Sequence, residues 1–538
     1  MRPKLATLAA AALALAPVLW LHGCGGGGSG EDDPGPDIFG TVRVSGDTSV
    51  TAGCTGGNTP GNVYANAEVE PSLARHPTDP NRLVAAWQQD RWNAGGARAV
   101  VTAVSSDGGQ TWERTLQLMS RCGGGTPANG GDYERTTDPW VEFGPDGTAY
   151  FMALAFNGRS LQAGSSSAML VARSLDGGRT WGPTQTLVLD GETLFNDKNT
   201  LTADPTDARF VYATWDRLDR LGRGPTLFAR STDGGVSWEP AREIYAPASP
   251  GTSQTIGNRI VVIADGPMRG TLVNVFTQID EVAGVLSARI GLIRSTDQGT
   301  TWSAPVFIDD LRAIGARDPT TGRAIRDGST LPSVAGGPGA TLWVAWQDAR
   351  FSSGARDAIA LSRSTDGGLT WSAPVAVNQS PSVPAFTPTL HVRADGTLGV
   401  LHYDLRSDTA APDTLFADAW LLTTTDGATW REQRVAGPFD MAQAPNAGGL
   451  FLGDYFGLAS AAGRFIPLFV TASTDLANLT DVYVRPIEDA PAAREAPQLT
   501  ARAAPAPTAP DASFERRRQE AIRAAREQRV PAWGSGNR

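Results

Sequence analysis

Along most of the chain, short apolar runs of strand length alternate with polar turns rich in Gly, Pro and Asp. "EPSLARHPTDPNRLVAAWQ" is followed by "DPWVEFGPDGTAYFMALAF", "KNTLTADPTDARFVYATW", "NRIVVIADGPMRGTLVNVF", "LPSVAGGPGATLWVAWQ" and "TPTLHVRADGTLGVLHY". Each reads as strand, tight turn, strand. Between these pairs a second pattern returns: a β-prone run, then "SSDGGQTW", "RSLDGGRTW", "RSTDGGVSW", "RSTDQGTTW", "RSTDGGLTW" or the worn "TTDGATW", then another run. The Asp residues of these turns, Asp107, Asp176, Asp233, Asp297, Asp366 and Asp426, lie 57 to 69 residues apart. That period holds four short strands with turns, the size of a propeller blade. A further strand pair, "GDYFGLASAAGRFIPLFV", has one more strand, "DVYVRPI" from Asp481, and no repeated turn. "IFGTVRVS" from Ile38 is free to supply its fourth strand and remove an exposed edge. The pattern therefore predicts an all-β fold: a single β-propeller of four-stranded blades, seven rather than six, closed by an N-terminal strand.

The repeated turn is architectural. A Ser or Thr hydroxyl and an Asp carboxylate can accept bonds from nearby backbone N–H groups. The glycines reach positive φ, and the closing Trp offers a large apolar plate to a neighbouring strand. The ends of the chain are different material. Arg2 and Lys4 precede an apolar run that ends in "LHGC" at Cys24, so residues 1–23 read as an export signal. The tetrad resembles a bacterial lipobox, which implies lipidation at Cys24, with plain secretion as the alternative. Residues 24–37 are a Gly-rich tether, residues 38–488 the propeller and residues 489–512 an Ala/Pro-rich linker. Residues 513–538 form a basic tail with helical character, Ser513 serving as N-cap, and read as a solvated charged segment. Gly25 after the lipidated Cys points to an outer membrane or cell surface.

Composition narrows the chemistry. With 46 Lys and Arg against 56 Asp and Glu, the chain carries a net charge of −10, which argues against nucleic acid as a partner. Cys54 and Cys122 are the cysteines of the mature chain, and in an oxidising compartment they close one disulfide; two free thiols are the alternative. His76, His391 and His402 form no metal-ligand spacing with them, so no metal site and no cofactor are expected. A monomer is expected. Lys198 is the one lysine beyond the signal, a compact ammonium where the chain otherwise uses Arg.

The repeated turns resemble the Asp-boxes (bacterial neuraminidase repeats) of the sialidase β-propeller superfamily, over residues 65–487. In an up-and-down blade the start of the first strand and the end of the second share one face, and the repeated turn lies on the other. The first face then gathers Glu70, Asp138, Lys198, Asn258–Arg259, Leu331, Thr387 and Asp454–Tyr455. The second-strand ends add Asp90/Arg91, Asp216/Arg217, Asp348/Arg350 and Asp404/Arg406, each beside an aromatic. These Asp/Arg sets read either as salt bridges or as an arginine-rich pocket gripping a carboxylate, with the aromatics stacking on sugar.

Sialidases, the resemblance implies, hold a carboxylate with three arginines and use an Asp acid and a Tyr nucleophile. On that pattern the catalytic candidates are Asp138, Tyr455, Tyr403 and Glu70. The substrate-binding candidates are Arg91, Arg217, Arg259, Arg350, Arg406, Lys198 and Asp454. The family's first arginine motif is replaced here by "EVEPSLARHP", and Arg259 in "NRIV" is its nearest echo. The expected function is a surface-anchored, sialidase-like exo-glycoside hydrolase acting on glycans, with membrane contact through the lipid anchor. The alternatives are a non-catalytic glycan- or protein-binding propeller and another sugar-cleaving enzyme on the same scaffold.

Overall fold

Residues 40–488, 499–504 and 511–529 are described by a computed structural model. The export signal, Cys24 and the Gly-rich tether lie outside the described residues. The chain is an all-β propeller. Its third repeat is representative: Leu194–Ala203, Val211–Asp219, Thr226–Ser231 and Arg242–Tyr245 pair antiparallel in sequence order. The second strand of each repeat is the most buried. In Leu83–Arg91, "LVAAWQQDR", every residue is buried, because such a strand has hydrogen-bonded neighbours on both sides and packed sheets on both faces. Its near-continuous apolar run is the sequence mark of that position.

Hydrogen bonding divides the strands differently from the expected set of seven, or six, four-stranded blades. Among the described residues five sheets of blade size are present, three of four strands and two of five, beside one sheet of eight strands and one of two. The eight-stranded sheet arises because Ala97–Ser105 runs on past its partner Glu113–Leu116, and Ala97 pairs with Thr136 of the next repeat. The five-stranded sheets each gain a strand from the chain's far end. Leu499–Thr500 pairs with Thr429–Trp430, and Arg502–Ala503 pairs with Val375–Ala376. Part of the presumed linker is thus a strap across two sheet edges.

Val42 and Arg43 pair antiparallel with Val484 and Tyr483. Leu83, Trp87 and Val101 share one buried cluster with Leu468, Val470 and Val482, so the first and last repeats pack together. Cys54 and Cys122 form a disulfide across 68 residues. Closing a loop of that length restrains the unfolded chain by about 4 kcal/mol.

The repeated turns are built as their residues dictate. The Ser or Thr hydroxyl lies 2.7 to 3.0 Å from the Asp carboxylate in all six. In five, a hydroxyl four residues after the Asp donates to its other oxygen at 2.5 to 2.7 Å. The Ser237 hydroxyl and amide, with Ser231, hold the Asp233 carboxyl down to about 2. The turns also bond to the hairpins joining first and second strands: Gly108 N–H to Asn81, Gly234 to Arg209 and Gly367 to Ala340. They therefore sit at the opposite ends of the strands from Glu70, Asp138 and Lys198.

The C-terminal segment is not a solvated tail. Ala512–Arg529 is an α-helix. Asp511, rather than Ser513, caps it by accepting the Ser513 N–H at 3.1 Å. Phe514 and Ile522 are buried, and Ile522 joins a cluster with Ile256, Leu311 and Trp346.

Candidate functional site

One backbone device recurs where the innermost strands approach the axis. Five of them slip register against the second strand: between Val69 and Ser72, Thr137 and Trp140, Asp197 and Thr200, Ile256 and Arg259, and Phe386 and Thr389. Within each slip one residue is left-handed: Glu70 at φ 54°, Asp138 at 52°, Lys198 at 50°, Gly257 at 70° and Thr387 at 50°. Such bulges re-aim a side chain, and a non-glycine residue in this region costs on the order of 1–3 kcal/mol. Four of the five positions carry that cost, and three of those four carry a charged group. A following proline marks three of them in the sequence: Pro71, Pro139 and Pro388.

The re-aimed groups converge on one ammonium. Lys198 Nζ lies 2.7 Å from Asp454 Oδ2, 3.3 Å from Glu70 Oε1 and 3.6 Å from Asp138 Oδ1. The Lys198 backbone N–H donates to Asp138 Oδ2 at 3.0 Å, and the Thr137 hydroxyl donates to Asp138 Oδ1 at 2.9 Å. The Asp454 N–H donates to Glu70 Oε1 at 3.3 Å, while Gln88 Nε2 donates to Glu70 Oε2. Arg326 closes the far side, with Nη2 2.6 Å and Nε 3.1 Å from the two Asp454 oxygens. All four side chains of the Lys198 cluster are buried, Lys198 being 8% exposed.

Electrostatics separates the carboxyls. Burial, together with Asp138 and Asp454 and against the pull of Lys198, pushes Glu70 up to about 8. Asp454 is buried too, yet Arg326 and Lys198 hold it well below the usual carboxylate range. The cluster therefore contains a carboxyl that keeps its proton at neutral pH beside one that stays ionised. Such a separation is what acid–base chemistry requires.

Asp138, Lys198, Arg91 and Arg326 face a cavity of about 360 Å³, which Phe156 and Phe195 also line. Arg91 donates to Gly96 O at 2.6 Å and to Gln88 Oε1 at 3.1 Å. Tyr455 sits beside the cluster in a smaller cavity with Trp140 and Arg259. Its hydroxyl lies 3.4 Å from Pro139 O, and burial and the Glu70, Asp138 and Asp454 charges push it well above the ordinary phenol range. That opposes its use as a nucleophile. Arg259 stacks on Trp140, its guanidinium carbon 5.1 Å from the ring centre.

The other expected groups lie elsewhere. Tyr403 is in the core, its hydroxyl bonded to Val470 O at 2.9 Å. Arg217 pairs with Asp190, Arg350 with Asp309 and Asp348, and Arg406 with Asp404 and Glu432. These three are salt bridges rather than an arginine pocket, because a fourth strand supplies an acid to each. Trp87, Trp215 and Trp346 are fully buried and donate inward to Gln89, Asn196 and Asp348. They are unable to stack on a sugar. Arg326 was not anticipated: it comes from the long connection before the fifth repeat, held by the parallel pairing of Ile325–Arg326 with Leu450–Phe451. Its only sequence signal is that connection's length.

No family model matches the chain. A sialidase from Micromonospora viridifaciens is 29% identical over 189 residues, 31% of this chain and 28% of that protein. Over that stretch the chain is similar to a sialidase. It matches less than a third of that relative's length. Among solved structures, an α-L-arabinofuranosidase from Fusarium graminearum is 15% identical, with 68% of this chain and 92% of that one covered and a TM-score of 0.43. A Hadza microbial sialidase is 16% identical, covering 76% and 74% at 0.43. An intramolecular trans-sialidase from Ruminococcus gnavus is 15% identical, covering 79% and 94% at 0.38.

Proposed function

We propose that the axial cluster is the working site of a glycan-acting exo-glycoside hydrolase on a sialidase-like propeller. The observation that carries this reading is the strain held in common at Glu70, Asp138 and Lys198, which turns two carboxyls and an ammonium toward one point. Asp138 faces the cavity and gives its proton to the glycosidic oxygen as the bond to the anomeric carbon breaks, and a water in the cavity supplies the hydroxyl to that carbon and the proton that restores Asp138. Lys198 fixes Asp138 through both its amine and its backbone N–H and balances the charge that develops there. Glu70 keeps a proton behind them. Arg91 and Arg326 are the arginines offered to the substrate.

The rival reading, glycan or protein capture without turnover, has one observation in its favour: Lys198 and Arg326 are already paired with carboxylates. A panel of fluorogenic sialosides and neutral aryl glycosides decides between them. Release of the fluorophore by the full chain is expected. Retention on a glycan array with no release from any member would leave the capture reading in its place.

We propose further that the protein is exported and lipid-anchored at Cys24, and that Val42–Arg43 closes the ring against Thr480–Val484. The Cys54–Cys122 disulfide supports an oxidising compartment. Radiolabelled fatty acid is expected in the full chain and absent from Cys24→Ala. Equal labelling of the two would rule out this anchor.

A further inference from the structure

The last turn of the C-terminal helix enters the axial cavity, and Arg529 is its leading group. The Arg529 Nε donates to Asp197 Oδ2 at 2.7 Å, one terminal nitrogen donates to Gln254 Oε1 at 2.7 Å, and the other lies 3.5 Å from Asp216 Oδ2. Gln528 and Arg529 line the same cavity as Asp138, Lys198 and Arg326. A second cavity of about 90 Å³ lies between the helix residues Ala521 and Ala525 and the Lys198–Asp454 pair.

The receiving groups are arranged independently of the helix. Asp197 and Asp216 are directly opposite each other on adjacent strands, a placement that is unfavourable for two carboxylates unless a cation bridges them. Both are buried, and Asp197 immediately precedes the strained Lys198. Gly257 N–H and Asn258 Nδ2 donate to Asp216 and orient it. A planar donor fork fits two acids and an amide oxygen in this arrangement.

The helix is held in a way that permits release. Its apolar anchors are Phe514, against Gly354, and Ile522. Polar contacts do the rest, such as the Arg526–Glu281 ion pair at 2.6 Å and the bonds from Arg517 to Gly354 O and from Gln528 to Gly448 O. The strap at Leu499–Thr500 and Arg502–Ala503 keeps the helix near the mouth, so it competes at high effective concentration.

We propose that Asp197, Asp216 and Gln254 form a cation-binding subsite of the axial cavity, built for a guanidinium or ammonium group, and that Arg529 fills it as an internal competitor. The ligand class is then a glycan or peptide bearing a positive group, not one recognised by its carboxylate alone. The inference concerns binding and holds whether or not the site turns a glycan over.

Calorimetry on the full chain tests it with two probes, arginine amide for a peptide-borne guanidinium and glucosamine for an amino sugar. Arg529→Ala is expected to bind one of them at least tenfold tighter than the unmodified chain, and adding Asp197→Asn is expected to abolish the gain. Equal affinity of Arg529→Ala and the unmodified chain for both probes would overturn the proposal, as would a gain that survives Asp197→Asn. Hydrogen exchange on the unmodified chain needs no variant. Saturating the probe that binds should speed amide exchange across residues 512–529 at least tenfold, and unchanged exchange counts against the competition.

Discussion

Lys198→Met lowers the stability of the folded chain by about 3–5 kcal/mol at pH 7, the cost of leaving buried charges without their partner. Three carboxyls, from Glu70, Asp138 and Asp454, lie within 3.6 Å of the ammonium that is removed. Among the described residues only Asp454 has a second cation, Arg326, within ion-pair distance. The direction with pH follows from Glu70. Its folded value of about 8 stands above the ordinary 4.5, so its contribution is fully present below about 4.5 and is lost as pH rises through 8. Removing Lys198 takes away the group that draws this carboxyl downward, so the deficit of the variant widens from pH 7 to pH 9, where Glu70 ionises in the folded parent and keeps its proton in the variant. Lys198→Arg keeps the charge and loses less. Chemical denaturation at the two pH values measures both effects. A variant as stable as the parent at pH 9 would mean that the carboxyls do not depend on the amine.

Asp138→Asn reduces turnover of the best glycoside by about 10²–10⁴-fold, the range for loss of a positioned acid–base group, while the melting temperature stays close to that of the parent. The asparagine oxygen accepts the Lys198 N–H in place of Oδ2, and its amide nitrogen donates to the Thr137 hydroxyl oxygen with that bond reversed, so the fold keeps both contacts and the reaction loses its proton carrier. The alkaline limb carries a second signature. As pH passes about 8, Glu70 ionises and adds a negative charge beside Lys198, and activity falls. Glu70→Gln removes that limb because the amide has no proton to lose. Full activity in Asp138→Asn would move the proton transfer to another group. An unchanged limb in Glu70→Gln would detach Glu70 from it.

The recurring Asp/Arg sets at the second-strand ends read in the sequence either as salt bridges or as a converging pocket, and for Arg217, Arg350 and Arg406 the salt bridges hold: their guanidiniums meet Asp190, Asp309 and Glu432, each from a fourth strand. Arg350 and Arg406 also meet an acid two positions away, Asp348 and Asp404, but which acid of a fourth strand they reach depends on strand register, and that is not encoded near the arginine. Tyr403 was misplaced for a related reason. An aromatic beside an Asp reads alike whether its ring faces the axis or the core, and a single step in pleat direction separates the two. The left-handed bulges were legible in principle, since Glu-Pro, Asp-Pro and Thr-Pro recur at the starts of first strands.

The sequence alone determined the features made within a few residues. These are the six turns, whose hydroxyl, carboxylate and glycine bond across two to four positions, and the strand pairs between them, whose alternation places them in sheets. Such contacts need no distant partner, so their residues can be read in place. Tertiary structure decided the site. Lys198 meets Glu70 across 128 positions and Asp454 across 256, and Arg529 reaches Asp197 across 332. Groups so far apart are joined by the curvature of the whole ring and by the path of its final segment, and no local pattern carries either.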